Sequence, residues 1–216
     1  MGIPVFILGE SGSGKSASLR NFEPDEVGII NVAGKPLPFR KQLPTVPTSN
    51  YQQVMKVLAG AKVKVCVIDD AQYLMTFDMF DRAREKGYDK FTEMALAFYS
   101  LVRFVATSLP ADRIVYFMLH TEMGDDGKVR AKTTGRMLKE RLTLEGLVSV
   151  TLMTEVTKDG YFFITQSDGT NVCKSPMEMF PYRIDNDLRM VDQTIREYWG
   201  LAPLSEKEES SDGTDH

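Results

Sequence analysis

The chain alternates between short, nearly continuous apolar runs and longer segments whose apolar residues return at helical spacing, the pattern of buried strands joined by amphipathic helices. Gly2 to Leu8 predicts a first buried strand, followed by a Gly/Ser loop and a short helix over about Lys15 to Asn21. Val27 to Val32 predicts a second strand. The stretch Lys35 to Pro47 reads as loop, because Pro36, Pro38, Pro44 and Pro47 exclude a helix. Thr48 or Ser49 then caps a helix reaching about Leu58, with Tyr51, Val54, Met55 and Leu58 on one face. Val63 to Ile68 and Arg113 to Leu119 predict two more strands, separated by helical segments over Ala71 to Glu85 and Phe91 to Ser108. Strands alternating with helices imply right-handed crossovers and a mostly parallel sheet flanked by helices, an α/β fold.

The second half changes character. Gly124-Asp-Asp-Gly127 signals a turn, Lys128 to Thr134 is polar and basic, and Gly135 to Leu142 could form a short helix. Leu147 to Val156 and Tyr161 to Gln166 flank Lys158-Asp-Gly160 as a β-hairpin, which gives the sheet an antiparallel C-terminal edge. Leu188 to Trp199 predicts a closing helix. Residues 1–204 are expected to form one domain and 205–216 a disordered acidic tail.

Charge concentrates in that tail. Ser205 to His216 carries Glu206, Glu208, Glu209, Asp212 and Asp215 against Lys207 alone, which accounts for the net −4 of all 216 residues. The tail reads either as a solubilising end or as an acidic competitor for a basic groove. The two cysteines, Cys66 and Cys173, lie far apart, and with His120 and His216 they form no zinc-like spacing. No apolar run reaches membrane-spanning length, and Met1 to Leu8 is too short for a signal peptide, so a cytoplasmic location is expected.

The strongest chemical signal is GESGSGKS: Gly9, Glu10, Ser11, Gly12, Ser13, Gly14, Lys15 and Ser16, with Ala17 opening the following helix. It matches G-x-x-x-x-G-K-[ST] between a strand and a helix. Glycines let the backbone wrap closely around phosphates, Lys15 would reach the β- and γ-phosphates of a nucleotide, and the Ser16 hydroxyl would ligate Mg²⁺. VKVCVIDD, Val63 to Asp70, delivers acids at a strand's C-terminal end, where Asp69 would hold the metal. Asp70 reads equally as a general base or as a helix cap, and Glu10 is a second candidate base. His120, Thr121 and Glu122 end the Arg113 strand where a γ-phosphate would lie; His120 reads as a sensor of that phosphate or as a structural histidine. The basic run Lys128, Arg130, Lys132, Arg136, Lys139 and Arg141 is broken only by Glu140. It reads as a nucleic-acid grip or as a solvated surface. Lys174, in Cys173-Lys174-Ser175-Pro176, could reach a γ-phosphate in cis or from a neighbouring subunit, or lie exposed.

From GESGSGKS through VIDDAQYL and MLHTEM to TQSDGTNVCKSP, the chain resembles the phage-encoded ATP-binding proteins of the RecA-like/AAA-type ATPase group, some of them linked to single-strand annealing and homologous recombination. The resemblance implies a RecA-like P-loop NTPase core, Mg-dependent ATPase activity, a ring or filament of identical subunits, and work on single-stranded DNA in the host cytoplasm with replication or recombination partners. It departs from the AAA+ pattern at Asp70, where those enzymes generally carry Glu. The alternatives are a nucleotide-gated partner recruiter of helicase-loader type, with slow turnover, and a small-molecule kinase.

Overall fold

The computed structural model describes residues 1–87, 89–134 and 143–204. The expected helix over 135–142, with Arg136, Lys139 and Arg141, and the acidic tail lie outside these residues. The core is one eight-stranded sheet. Its strands in chain order are β1 (Ile3–Leu8), β2 (Val27–Asn31), β3 (Thr45–Pro47), β4 (Val65–Asp69), β5 (Ile114–Leu119), β8 (Val150–Thr157), β9 (Gly160–Ile164) and β10 (Arg183–Asp185). A separate hairpin, β6 (Thr121–Met123) and β7 (Val129–Ala131), follows β5. Across the sheet the order is β10-β9-β8-β1-β5-β4-β2-β3. The six strands from β8 to β3 run parallel, and β9 turns back along β8 to make the antiparallel edge.

Side-chain alternation along each strand divides the core in two. Phe6, Leu8, Ile68, Phe117 and Leu119 face α1 (Tyr51–Gly60), α2 (Gln72–Asp81) and α3 (Asp89–Ser108). Val5, Ile7, Val67, Tyr116 and Met118 face the opposite layer, where α4 (Leu188–Trp199) packs. β1 is buried along nearly its whole length because both faces are covered, which explains its unbroken apolar run.

Several boundaries differ from expectation for identifiable reasons. The proline-rich stretch contains β3, tolerated because it is an outer strand and pairs only with β2. α1 is capped by Asn50, whose side chain accepts the Gln53 N–H at 3.0 Å; Thr48 instead donates to the Gln53 side chain. The segment after Lys15 forms a six-residue 3-10 helix, Ser16–Asn21, closed before Pro24. The polar stretch after Gly124 is not a free loop: it returns as β7, and Val129 N–H donates to the Thr170 carbonyl. α4 matches its expected bounds and is capped at Asp187, which accepts the N–H groups of Arg189 and Met190. Among the described residues no helix is long and apolar enough to cross a membrane.

The end of the sheet remote from the loop after β1 is closed by a buried charge pair. Arg196 Nε donates to Asp192 at 2.6 Å, Tyr116 donates to the same carboxylate at 2.9 Å, and the guanidinium also reaches the carbonyls of Asp112 and Ala202. Truncating Asp192 to alanine strands a buried guanidinium, at a cost of about 3–5 kcal/mol. Urea unfolding should show that loss; a change below about 1 kcal/mol would mean the network adds nothing to stability.

Candidate functional site

Gly9 follows β1 at the sheet's C-terminal edge, and its lack of a side chain is obligatory. A Cβ there would collide with the Thr154 side chain and come within 2.5 Å of Ser13 Oγ. Thr154 on β8 donates to Ser13 Oγ at 2.7 Å, and Ser13 donates onward to the Glu10 carbonyl at 2.7 Å, so β8 clamps the loop. Gly12 and Gly14 hold φ of +77° and +99°, the left-handed region that glycine alone enters cheaply.

Inside this wrap lies Lys15, only 5% exposed. Its ammonium donates to the carbonyls of Gly9 at 2.7 Å and Glu10 at 2.8 Å. Burial pulls its pKa down to about 8, with Asp70 and Asp69 opposing from a distance. The adjacent Ser16 hydroxyl donates to Asp69 Oδ1 at 2.9 Å, joining the loop to the end of β4. Burial, and then the neighbouring Asp70, raise the Asp69 pKa.

Asp70 takes an unusual backbone form, with φ +57° in a non-glycine residue. Its carboxylate does not cap α2, whose N-cap is Ala71 without a side-chain bond. Instead Lys35 Nζ lies 3.0 Å from Oδ2, and His120 Nε2 lies 3.3 Å from Oδ1. Burial alone would raise this carboxyl, but the bonds from His120 and Lys35 outweigh it and hold its pKa at about 2. His120 stands between the loop and the acids because β5, the strand it ends, lies between β1 and β4. Its backbone N–H donates to Gln72 Oε1 at 3.2 Å, and the Tyr73 ring meets the imidazole edge-on.

These groups line one cavity of about 420 Å³, within the usual size of small-ligand sites. Ser11, Gly12, Gly14, Lys15, Ser16 and Ala17 form its floor. Asp69, Asp70, His120 and Lys35 close one end, and Tyr161 forms another wall. Glu10 is exposed and does not line it; this residue serves the loop through its backbone carbonyl. Thr121 and Glu122 belong to β6. Lys174 exchanges backbone bonds with Thr151, which aligns with Phe6 below the sheet edge, and does not line the cavity either. On the β6–β7 hairpin Lys128 and Lys132 are exposed, whereas Arg130 contacts both carboxylate oxygens of Asp126.

The sequence reading missed Lys35, Thr154 and Tyr161. Each lies far along the chain from the residues it serves, and only the strand order brings it near. Among the described residues no group of three His, Cys, Asp or Glu could hold a metal. Ser16 and Asp69 nevertheless supply two adjacent oxygens. That suits Mg²⁺, which takes one or two protein ligands and completes its shell with phosphate and water. No family model and no curated protein matches the chain.

Lys35→Ala should raise the Asp70 pKa from about 2, which carboxyl-carbon NMR titration would measure. The sign for stability follows from the depressed value. Asp70 stabilises the fold above its unfolded pKa of about 3.9, and that contribution disappears as pH falls toward 2. The variant should lose it at higher pH; an unmoved titration would show that Lys35 does not set the Asp70 charge.

Proposed function

We propose that this protein binds ATP with Mg²⁺ through a P-loop on a RecA-like core and hydrolyses it. The observation that carries the reading is the buried Lys15 ammonium, held by two backbone carbonyls and joined to no carboxylate among the described residues. A buried cation with no carboxylate in contact is costly, and burial lowers its pKa despite the more distant Asp70 and Asp69. A phosphate chain in the cavity beside it would supply the missing charge. The six-residue 3-10 helix after the loop contributes little dipole, so recognition falls on Lys15 and on the N–H groups of the glycine loop.

Ser16 and Asp69 are the residues that would hold Mg²⁺, which when bound neutralises phosphate charge. This places the terminal phosphate toward Asp70, His120 and Lys35. There Lys35 adds a second cation, and the Asp70–His120 pair can orient an attacking water. The interposed β5, which delivers His120 between loop and acids, supports the RecA-like core expected from the sequence. Single-stranded DNA is the proposed stimulus, through Lys128, Lys132 and the basic residues beyond 134, with identical subunits assembling along it. Slow, partner-gated turnover is the alternative.

Steady-state phosphate release with Mg²⁺, with and without single-stranded DNA, tests this directly. Lys15→Ala should lower kcat/KM on the order of 100-fold or more. Normal hydrolysis by that variant would refute the site assignment. Stimulation by DNA supports the recombination-type role; flat activity despite ATP binding points to a protein partner.

A further inference from the structure

Behind the Tyr161 wall of the cavity, against Gly14, lies an unexplained feature. Asn186 is 2% exposed, and neither its Nδ2 nor its Oδ1 has a hydrogen-bond partner among the described residues. Buried amides are normally paired, so two orphaned atoms on one side chain need a reason. The main chain that carries this amide is tied down. The Asn186 backbone N–H donates to the Tyr161 carbonyl at 3.3 Å, and its carbonyl accepts from Arg20 Nη1 at 2.7 Å. Both polar atoms pack against Gly14, at 3.3 and 3.4 Å from where a Cβ would stand. The Tyr161 ring covers the same spot, with Cδ1 2.9 Å from it, yet this side chain is half exposed and lines the cavity.

Strand order says which part of a ligand would meet these residues. Tyr161 lies on β9, two strands from β1 on one side; Asp69 lies on β4, two strands away on the other. A triphosphate seated on Lys15, with its metal-bound end at Ser16 and Asp69, directs its nucleoside toward Tyr161. We propose that Tyr161 and Asn186 form a nucleobase subsite selective for adenine, an inference that rests on the phosphate-site reading above. The ring swings off Gly14 and stacks on the base, uncovering the amide. Asn186 then accepts from the exocyclic N6–H and donates to the neighbouring ring nitrogen, which satisfies both orphaned atoms. The edge read is N6/N7, because on the other edge the N1–H and O6 of guanine would pair equally well with a turned amide. Guanine presents two acceptors, O6 and N7, on its corresponding outer edge, where the amide oxygen would face another oxygen.

Calorimetric titration of the full chain with Mg²⁺ plus ATP, GTP or tripolyphosphate tests the subsite. ATP should bind tighter than the other two. Tyr161→Ala and Asn186→Ala should each weaken ATP about tenfold or more while leaving tripolyphosphate unchanged. Tyr161→Phe should retain wild-type affinity. Unchanged tripolyphosphate binding also reports an intact loop, and if Asn186→Ala fails to fold, Tyr161→Ala decides alone. Wild-type protein that binds ATP no tighter than tripolyphosphate, or variants that keep the ATP preference, would overturn the subsite. Wild-type protein that binds none of the three would overturn the phosphate-site reading, and this inference with it.

Discussion

An ammonium group buried at the end of a parallel sheet must find oxygen somewhere, and Lys15 finds it in the backbone of its own loop. That requirement organises the surrounding structure. The carbonyls of Gly9 and Glu10 turn inward toward Nζ only because the chain folds back through Gly12 and Gly14 at positive φ. The fold-back is held from outside by Ser13 and Thr154, whose contact leaves no room for a side chain at residue 9. The loop is thus fixed jointly by β1, which delivers it, and β8, which pins it. The cation remains charged but poorly compensated, which suits a site awaiting an anion.

Across the cavity the electrostatics run the other way. Asp70 is over-compensated: two cationic or hydrogen-bonding partners keep it ionised, in a backbone form that costs on the order of 1 kcal/mol. Three connections have to converge for this. β4 supplies Asp70, β5 supplies His120, and the turn after β2 supplies Lys35, with the Asn31 side chain donating to the Lys35 carbonyl. An anion entering between Lys15 and Lys35 meets a cation short of negative charge and another already sharing it. Redistribution of these contacts on binding is therefore cheap, because the Lys35 side chain is 59% exposed and free to re-aim.

What could be read from the sequence was what is local in the sequence. GESGSGKS carries its own turn chemistry, and Asp69 follows a buried strand directly, so their types and spacing were visible without a fold. The parallel sheet was legible from unbroken runs such as Val5 to Leu8, covered on both faces. β3 was missed because proline argues against a central strand, and only its outer position permits it. β10 was missed because three residues carry no periodicity. Lys35, Thr154 and Tyr161 reach the site only because the sheet order brings distant parts of the chain together, and no local pattern marks them. The 3-10 helix is a subtler case: Ser16 to Asn21 has helical composition but too few residues before Pro24 to settle into an α-helix.

The β6–β7 hairpin shows why a run of basic residues is weaker evidence than its count suggests. Arg130 is neutralised by Asp126 within the same turn, and Glu122 stands directly across the strand pair from it. The described part of the run therefore presents Lys128 and Lys132 against nearby acids. Its backbone, by contrast, is firmly tied to the site. Lys132 N–H donates to the His120 carbonyl at 2.7 Å, and Ala131 N–H donates to the buried Glu145 carboxylate at 2.7 Å. The same His120 touches Asp70 through its side chain. A single residue thus contacts the acid end of the cavity on one side and the hairpin on the other. Any displacement of His120 by a ligand has to be absorbed either by the Asp70 contact or by the hairpin register. The hairpin thus brings to the proposed function a mechanical link to the site as well as its two exposed lysines.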